Sequence, residues 1–176
     1  MSLIRLRSPL PGDAAALFPL IHRTPVTETI AWDGPESLES YQQWLQDRTA
    51  QTTSGEPDFS VIVELASGQP IGSAGLRPEP GGARGDFGLW IGVPYQGRGY
   101  GGEAVRMLLA KGFMVLGMDA IEATVMVGNQ ASRRIMERNA MRLSATLPGA
   151  LIKRGHPVDV WRFAITREEW VVHARG

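Results

Sequence analysis

The sequence predicts an α+β domain, and three features carry that expectation. Short β-rich runs joined by tight turns lie between Phe59 and Val93, a long amphipathic helix starts directly after a cluster of glycines, and a strand, a helix and two further strands close the chain. A length of 176 residues suits one core, so residues 1–176 are expected to form a single domain. With 43% apolar and 20% charged residues, the composition is that of an ordinary globular chain and excludes disordered and collagen-like classes.

Leu3 to Arg7 alternates apolar and basic residues and reads as a first strand. Asp13 is placed to cap a helix whose apolar positions include Leu17, Leu20 and Ile21. Ser37 to Thr49 reads as a second helix, with Ser37 as cap, Glu39 in the first turn, and Leu38, Tyr41, Trp44 and Leu45 at helical spacing. Trp32–Pro35 and Gln51–Gly55 flank it as loops. Phe59–Leu65 and Ile71–Leu76 are strands joined by the turn Ser67-Gly68-Gln69-Pro70, and Asp86–Val93 follows as a third strand after the loop Pro78–Gly82. The three are expected to form an antiparallel meander. Val105, Leu108, Leu109, Gly112 and Leu116 then lie on one stripe of a helix. Ile121, Ala123, Val125 and Val127 alternate with Glu122, Thr124 and Met126 as a strand. Asn129–Ala140 makes another helix with Ile135 and Met136 inward, and strands near Met141–Leu147 and Val158–Thr166 end the chain, with Pro148-Gly149 as the turn after the first of them.

Charge and rare residues exclude several classes of function. Eighteen basic residues balance eighteen acidic ones, so no overall positive field gathers nucleic acid or anionic lipid; neither a nucleic-acid partner nor a membrane is expected. Sixteen of the cations are Arg, which fits the coding bias of a GC-rich genome. The absence of cysteine removes disulfides, thiolate metal sites and a Cys nucleophile, and the three His are far apart, so no metal is expected. Charges at Arg5 and Arg7 stand where a signal peptide needs its apolar run, which predicts a cytoplasmic protein.

The chemistry concentrates in Gln96-Gly97-Arg98-Gly99-Tyr100-Gly101-Gly102, four glycines in the six positions from 97, between a strand and a helix. Backbone N–H groups freed by such a turn, together with a helix N-terminus, can converge on a phosphate. A tight turn without a ligand fits the glycines equally well. The dinucleotide fingerprint fits only formally, because Pro94-Tyr95-Gln96 separate the glycines from the strand and Glu122 lies inside the next strand; the P-loop fails for want of a following Lys-Ser/Thr pair.

Gln96, Gly99 and Gly101 match Gln/Arg-x-x-Gly-x-Gly/Ala, the acyl-CoA loop of the GNAT N-acetyltransferases, and the likeness extends through Gly85–Ile91, Pro94–Gly101, Ala123 and Asn129–Ser132. The chain resembles the RimJ/RimL branch of that superfamily, which acetylates protein N-termini and includes members acting on small amines. The resemblance implies a mixed, mostly antiparallel sheet flanked by helices, with a splayed strand pair that binds acyl-CoA. It implies a cytoplasmic bacterial enzyme that transfers acetyl from acetyl-CoA, as a cosubstrate and without a metal, directly to a primary amine. The amine acceptor is a protein or peptide N-terminus or a small molecule, and a homodimer is compatible with the resemblance. A non-catalytic acyl-CoA-binding or sensing module is the alternative.

By the same resemblance, the pyrophosphate lies over Gly97, Arg98, Gly99, Tyr100, Gly101 and Gly102, and pantetheine runs along Ile91 to Val93 like an added strand. Gln96 and Arg98 supply further donors. Asp86 stands where the family often has Glu, a base acting through water; Glu28, Glu64 and Glu122 are alternatives. An acidic proton for the leaving thiolate comes in many members from a Tyr seven residues past the Asn, but Met136 occupies that place. Ser132, in the Asn-x-x-Ser pattern with Asn129, is the candidate acid; as a helix cap and a first-turn Ser the same pair needs no ligand. Asn139-Ala140-Met141 departs from the family, which commonly has Gly before an aromatic residue or Met. Trp32, with Tyr41 and Trp44, falls in the segment that walls the acceptor site, where aromatics pack or cradle a cation.

Overall fold

The computed structural model describes residues 2–50 and 59–175; the loop expected over Gln51–Gly55 lies outside them. Seven strands form one sheet in the order β1-β2-β3-β4-β5-β7-β6, accompanied by five α-helices among the described residues. The strands are β1 (Ile4–Arg7), β2 (Phe59–Glu64), β3 (Pro70–Pro78), β4 (Arg84–Ile91), β5 (Ala120–Met126), β6 (Arg142–Lys153) and β7 (His156–Thr166). The helices are α1 (Asp13–Ile21), α2 (Leu38–Ala50), α3 (Tyr100–Ala110), α4 (Gln130–Arg138) and α5 (Arg167–Arg175). The α+β class therefore stands. β1·β2, β2·β3, β5·β7 and β6·β7 are antiparallel, and β4·β5 is parallel. The β4·β5 register covers Arg84–Phe87 against Ala120–Ala123 and stops short of Ile91. Contacts divide the chain into two compact units, residues 1–75 with 89–104, and residues 76–88 with 105–176.

In the first unit β2 is buried almost along its length, because β1 and β3 pair with its two edges and α1 and α2 supply Leu17, Ile21, Tyr41 and Leu45 to the core around Val61 and Val63. Ser37 caps α2 as its sequence implies: its Oγ accepts from the Ser40 N–H at 3.1 Å, and the Ser40 hydroxyl reciprocates toward the Ser37 N–H. Asp13 behaves otherwise. Gly12 is the N-cap of α1 and makes no side-chain cap bond, while the Asp13 carboxylate accepts from the Leu10 N–H at 2.7 Å and takes both Arg7 guanidinium nitrogens at 2.6 and 2.7 Å. A nearby guanidinium outcompetes the helix's own amides for a carboxylate because the bidentate pair is charge-assisted on both sides. At Gly72 the chain needs the missing side chain, since a Cβ there would stand 2.1 Å from the Trp90 carbonyl oxygen.

In the second unit the alternation along β5 holds from Ile121 to Val125, with Ile121, Ala123 and Val125 buried and Thr124 exposed, but Val127, expected on the same inward face, lies past the end of the strand and is exposed. Trp161, Phe163 and Ile165 of β7 share the buried face as expected. α3 departs from its stripe near its end. Residues Lys111–Val115 form a π-helical turn, closed by the Leu116 N–H on the Lys111 carbonyl at 3.0 Å. Five residues per hydrogen bond in place of four rotate Phe113 into the core, leave Leu116 only half-buried, and expose Met114 and Val115. Pro148-Gly149 is not a turn between strands: β6 runs on to Lys153, and its register against β7 shifts between Leu147 and Leu151. The Gly149 N–H is met there by Asp159 Oδ1 at 2.8 Å, so the break is absorbed as a bulge. α5 was not foreseen. It starts with a capping box in which Glu169 accepts from the Thr166 N–H at 3.0 Å and Thr166 Oγ1 accepts from the Glu169 N–H at 3.3 Å, and its Trp170 packs on Phe113 with ring centroids 5.4 Å apart.

Candidate active site

β4 ends at Ile91, where Gly92 donates its N–H to Ile71 at 2.8 Å, and a 3-10 turn over Val93–Tyr95 leads into the glycines. Gly97 and Gly99 hold φ of +76° and +88°, and around both the space a Cβ would occupy is open for 4 Å. That combination is what a phosphate approaching the backbone requires. The Gly99 carbonyl accepts from the Glu103 N–H at 3.1 Å, so α3 begins here and the N–H groups of Tyr100 and Gly101 have no partner inside the helix.

The side chains of the turn each have a partner in the protein, and Tyr100 is the buried one of the three. Gln96 Nε2 donates to the Ile91 carbonyl at 2.8 Å, the Tyr100 hydroxyl donates to Glu64 Oε1, and Arg98 Nη1 stands 3.7 Å from the same oxygen with its guanidinium 5.7 Å from the Tyr95 ring centroid. Along the segment proposed for pantetheine, the Ile91, Gly92 and Val93 carbonyls already accept from Gln96 Nε2, the Tyr95 N–H and the Gln96 N–H. An amide laid there meets carbonyls that each have one lone pair in use. Glu64, one of the alternative bases, is buried, and its other oxygen accepts from the Ser67 hydroxyl at 2.6 Å. The Ser67 and Tyr100 hydroxyls hold its carboxyl below the usual carboxylate range, with Arg98 adding to the effect, so it is a poor proton acceptor near neutrality.

In the same unit Trp32 is half-buried and stacks on Trp44 at 5.8 Å, with Tyr41 at 5.9 Å; Phe59 meets Trp44 edge-on. Tyr41 belongs to the core, and Trp32 and Trp44, both half-buried, pack against it. The Tyr41 hydroxyl is buried without a hydrogen-bond partner among the described residues. Burial first, and the Asp13 charge second, push its pKa up. Glu28 lies exposed at the end of a short 3-10 turn, Pro25–Glu28.

In the second unit Asp86 is half-exposed and bound by Arg77, whose Nε and Nη2 donate at 3.1 and 2.5 Å. Its neighbour in register, Glu122, is paired to Arg84 and stands 3.7 Å from Arg162. The two carboxylates thus belong to a ladder of ion pairs across β3, β4, β5 and β7. Arg77 had no signal in the sequence, since only strand register brings it beside Asp86. Asn129 caps α4, its Oδ1 accepting from the Ser132 N–H at 3.0 Å. The Ser132 hydroxyl is half-buried in the first turn and has no hydrogen-bond partner among the described residues. Met136 is buried. No group of three or more His, Asp or Glu among the described residues is placed to hold a metal ion.

A seven-stranded mixed sheet with an open, glycine-built turn at the head of α3 is the architecture of the acetyltransferase class. Residues 4–142 match the family model described as acetyltransferase (GNAT) domain, and the chain belongs to the GNAT acetyltransferase family. It is 27% identical over 113 residues to the uncharacterized N-acetyltransferase p20 of Bacillus licheniformis, a match spanning 64% of this chain and 63% of that protein's length. Among solved structures, a GNAT-family acetyltransferase from Bacillus anthracis superposes with a TM-score of 0.85 at 19% identity, over 95% of this chain and 96% of that one. The ribosomal L7/L12 α-N-protein acetyltransferase RimL superposes with a TM-score of 0.78 at 20% identity, over 94% and 91%. At such identities the two structures establish the fold.

Proposed function

We propose that the protein is an acetyl-CoA-dependent N-acetyltransferase, a single-domain bacterial cytoplasmic enzyme of the RimJ/RimL-like branch that acetylates a primary amine. The carrying observation is the pair Gly97 and Gly99, both in the left-handed region and both with open space where a side chain would stand. The N–H groups of residues 97–102 would hold the pyrophosphate, and Arg98, 55% exposed, would turn toward it. Acetyl-CoA, when bound, supplies the acetyl group and a thiolate leaving group.

The remaining roles belong to the chain's own side chains. Asp86, open to water beside Arg77, accepts the proton that the amine must lose, through a water molecule. An α-amino group, with a pKa of about 7.7–8.0, needs less of this help than a Lys amine at about 10.4. Ser132 offers its unpartnered hydroxyl to the departing sulfur, and Trp32 forms an apolar or cation–π wall for the acceptor. The resemblance to RimL supports a protein N-terminus as acceptor, and a small amine is served by the same chemistry.

Free-thiol release from acetyl-CoA, measured against a panel of peptide N-termini and small amines, tests the proposal. Amine-dependent release supports it. Tight acetyl-CoA binding without release for any amine would favour a binding or sensing module instead.

A further inference from the structure

Successive residues of the glycine turn face opposite ways. Gln96, Arg98 and Tyr100 each reach a partner behind the turn, Tyr100 as a buried side chain and the other two as exposed ones, whereas Gly97 and Gly99 between them border open space. The turn is therefore held from one side only. Two of its three holding contacts end on one carboxylate, that of Glu64 on β2, which is 8% exposed.

We infer that Glu64 is a positioning residue for this turn: through the Tyr100 hydroxyl and the Arg98 guanidinium it fixes the peptides on either side of Gly99, and so presets the backbone N–H groups for a diphosphate ester. The inference rests on the proposed acyl-CoA reading of the turn. A carboxylate repels phosphate, so one buried behind a phosphate-gripping turn weakens binding unless it supplies order in return. Its surroundings are built to keep it there. Ser67 at 2.6 Å and Tyr100 donate to its two oxygens, and its own backbone carbonyl accepts from the Gly68 N–H at 2.9 Å. The depressed carboxyl pKa that follows from these donors keeps the anchor charged across the physiological range.

The two contacts on the turn differ in kind. The Tyr100 hydroxyl is buried and hydrogen-bonded, while Arg98 is half-exposed and 3.7 Å away. A phosphate can therefore draw Arg98 off without releasing Tyr100. Tyr100 sets the conformation, and Arg98 is shared between the anchor and the ligand.

Tyr100→Phe, Glu64→Gln and Glu64→Ala in the full chain test this by three readouts: amide hydrogen exchange over residues 97–102 in the ligand-free protein, acetyl-CoA affinity by calorimetry, and the division of any kinetic effect between KM and kcat. Loss of a hydrogen bond to a charged group predicts roughly tenfold or more weaker acetyl-CoA binding in Tyr100→Phe, appearing in KM rather than kcat, with faster exchange across the turn. Glu64→Gln keeps an acceptor for the Tyr100 hydroxyl and should lie closer to wild type than Glu64→Ala. Wild-type exchange and affinity in Tyr100→Phe, which removes one oxygen and no packing volume, would overturn the inference even if Glu64→Ala fails to fold. If the wild-type chain itself binds no acetyl-CoA, the ligand reading fails, and the exchange rates still decide whether Glu64 orders the turn.

Discussion

Ala140 closes α4 in a conformation that an L-residue adopts at a cost. Its φ is +60°, its N–H donates to the Glu137 carbonyl at 3.1 Å, and the Met141 N–H reaches back to the Met136 carbonyl at 3.1 Å, the pattern of a left-handed helix C-cap. Crowding between Cβ and the following carbonyl oxygen costs about 1–2 kcal/mol in this region. Glycine avoids it, but a glycine in the unfolded chain has more freedom to lose, worth about 0.4–1 kcal/mol. Taking the middle of each range, the difference makes Ala140→Gly more stable by about 0.8 kcal/mol. For a chain of 176 residues, where ~1 kcal/mol corresponds to about 2–4 °C, the midpoint should rise by about 1–4 °C. Urea melts at fixed pH check this without relying on thermal reversibility, and the slope should not change, because the surface buried is the same. An unchanged or lowered urea midpoint would refute the assignment of a strained cap to Ala140.

Three further outcomes are expected. Asp13→Ala leaves Arg7 and the Leu10 N–H without their buried acceptor; with the Arg7 side chain 21% exposed, the loss should lie near the low end for breaking a buried pair, about 3 kcal/mol, and a urea melt showing under ~1 kcal/mol would remove the pair from the account of stability. Glu169→Ala removes the α5 capping box and should cost about 0.3–1.5 kcal/mol at neutral pH. The Thr166 backbone and hydroxyl donors lower the Glu169 pKa on folding, so its stabilising charge is fully present above the unfolded value and is lost as pH falls through the folded one. The gap between wild type and Glu169→Ala should narrow on acidification, and a gap that widens would reverse the sign of this argument. Ser132→Ala should lower the rate of transfer by roughly 10²–10⁴-fold while changing acetyl-CoA affinity little, and an unchanged turnover with chemistry rate-limiting would leave the proton to solvent.

Periodicity alone placed much of this fold. β5 alternates from Ile121 to Val125 and β7 from Trp161 to Ile165, and the inward residues of those stretches line the core because successive side chains of a strand point to opposite faces. The turn itself was legible from its glycines, which mark backbone held at positive φ, as Gly97 and Gly99 are. Three features escaped because they depend on competition between neighbours. Asp13 was free to cap α1 until Arg7 came within reach. Leu116 was on the apolar stripe until one π turn changed the phase by a residue. α5 did have a local signal, Thr166-x-x-Glu169, which the strongly apolar β7 immediately before it obscured. At the candidate site, nothing short of strand register could reveal that Arg77 holds Asp86, or that Tyr100 and Arg98 share Glu64.

The turn over residues 96–102 also constrains how such a chain can diverge. On the proposed reading its gripping surface would be peptide backbone, and Gly97 and Gly99 offer no side chain to exchange without filling the open space or straining the φ. Substitution can therefore tune the grip only from behind, at Gln96, Arg98, Tyr100 and the residues that receive them. Variation in the outer face would be purged, variation in the inner face would be graded, and two proteins could share every glycine here while holding the same ligand with different strength.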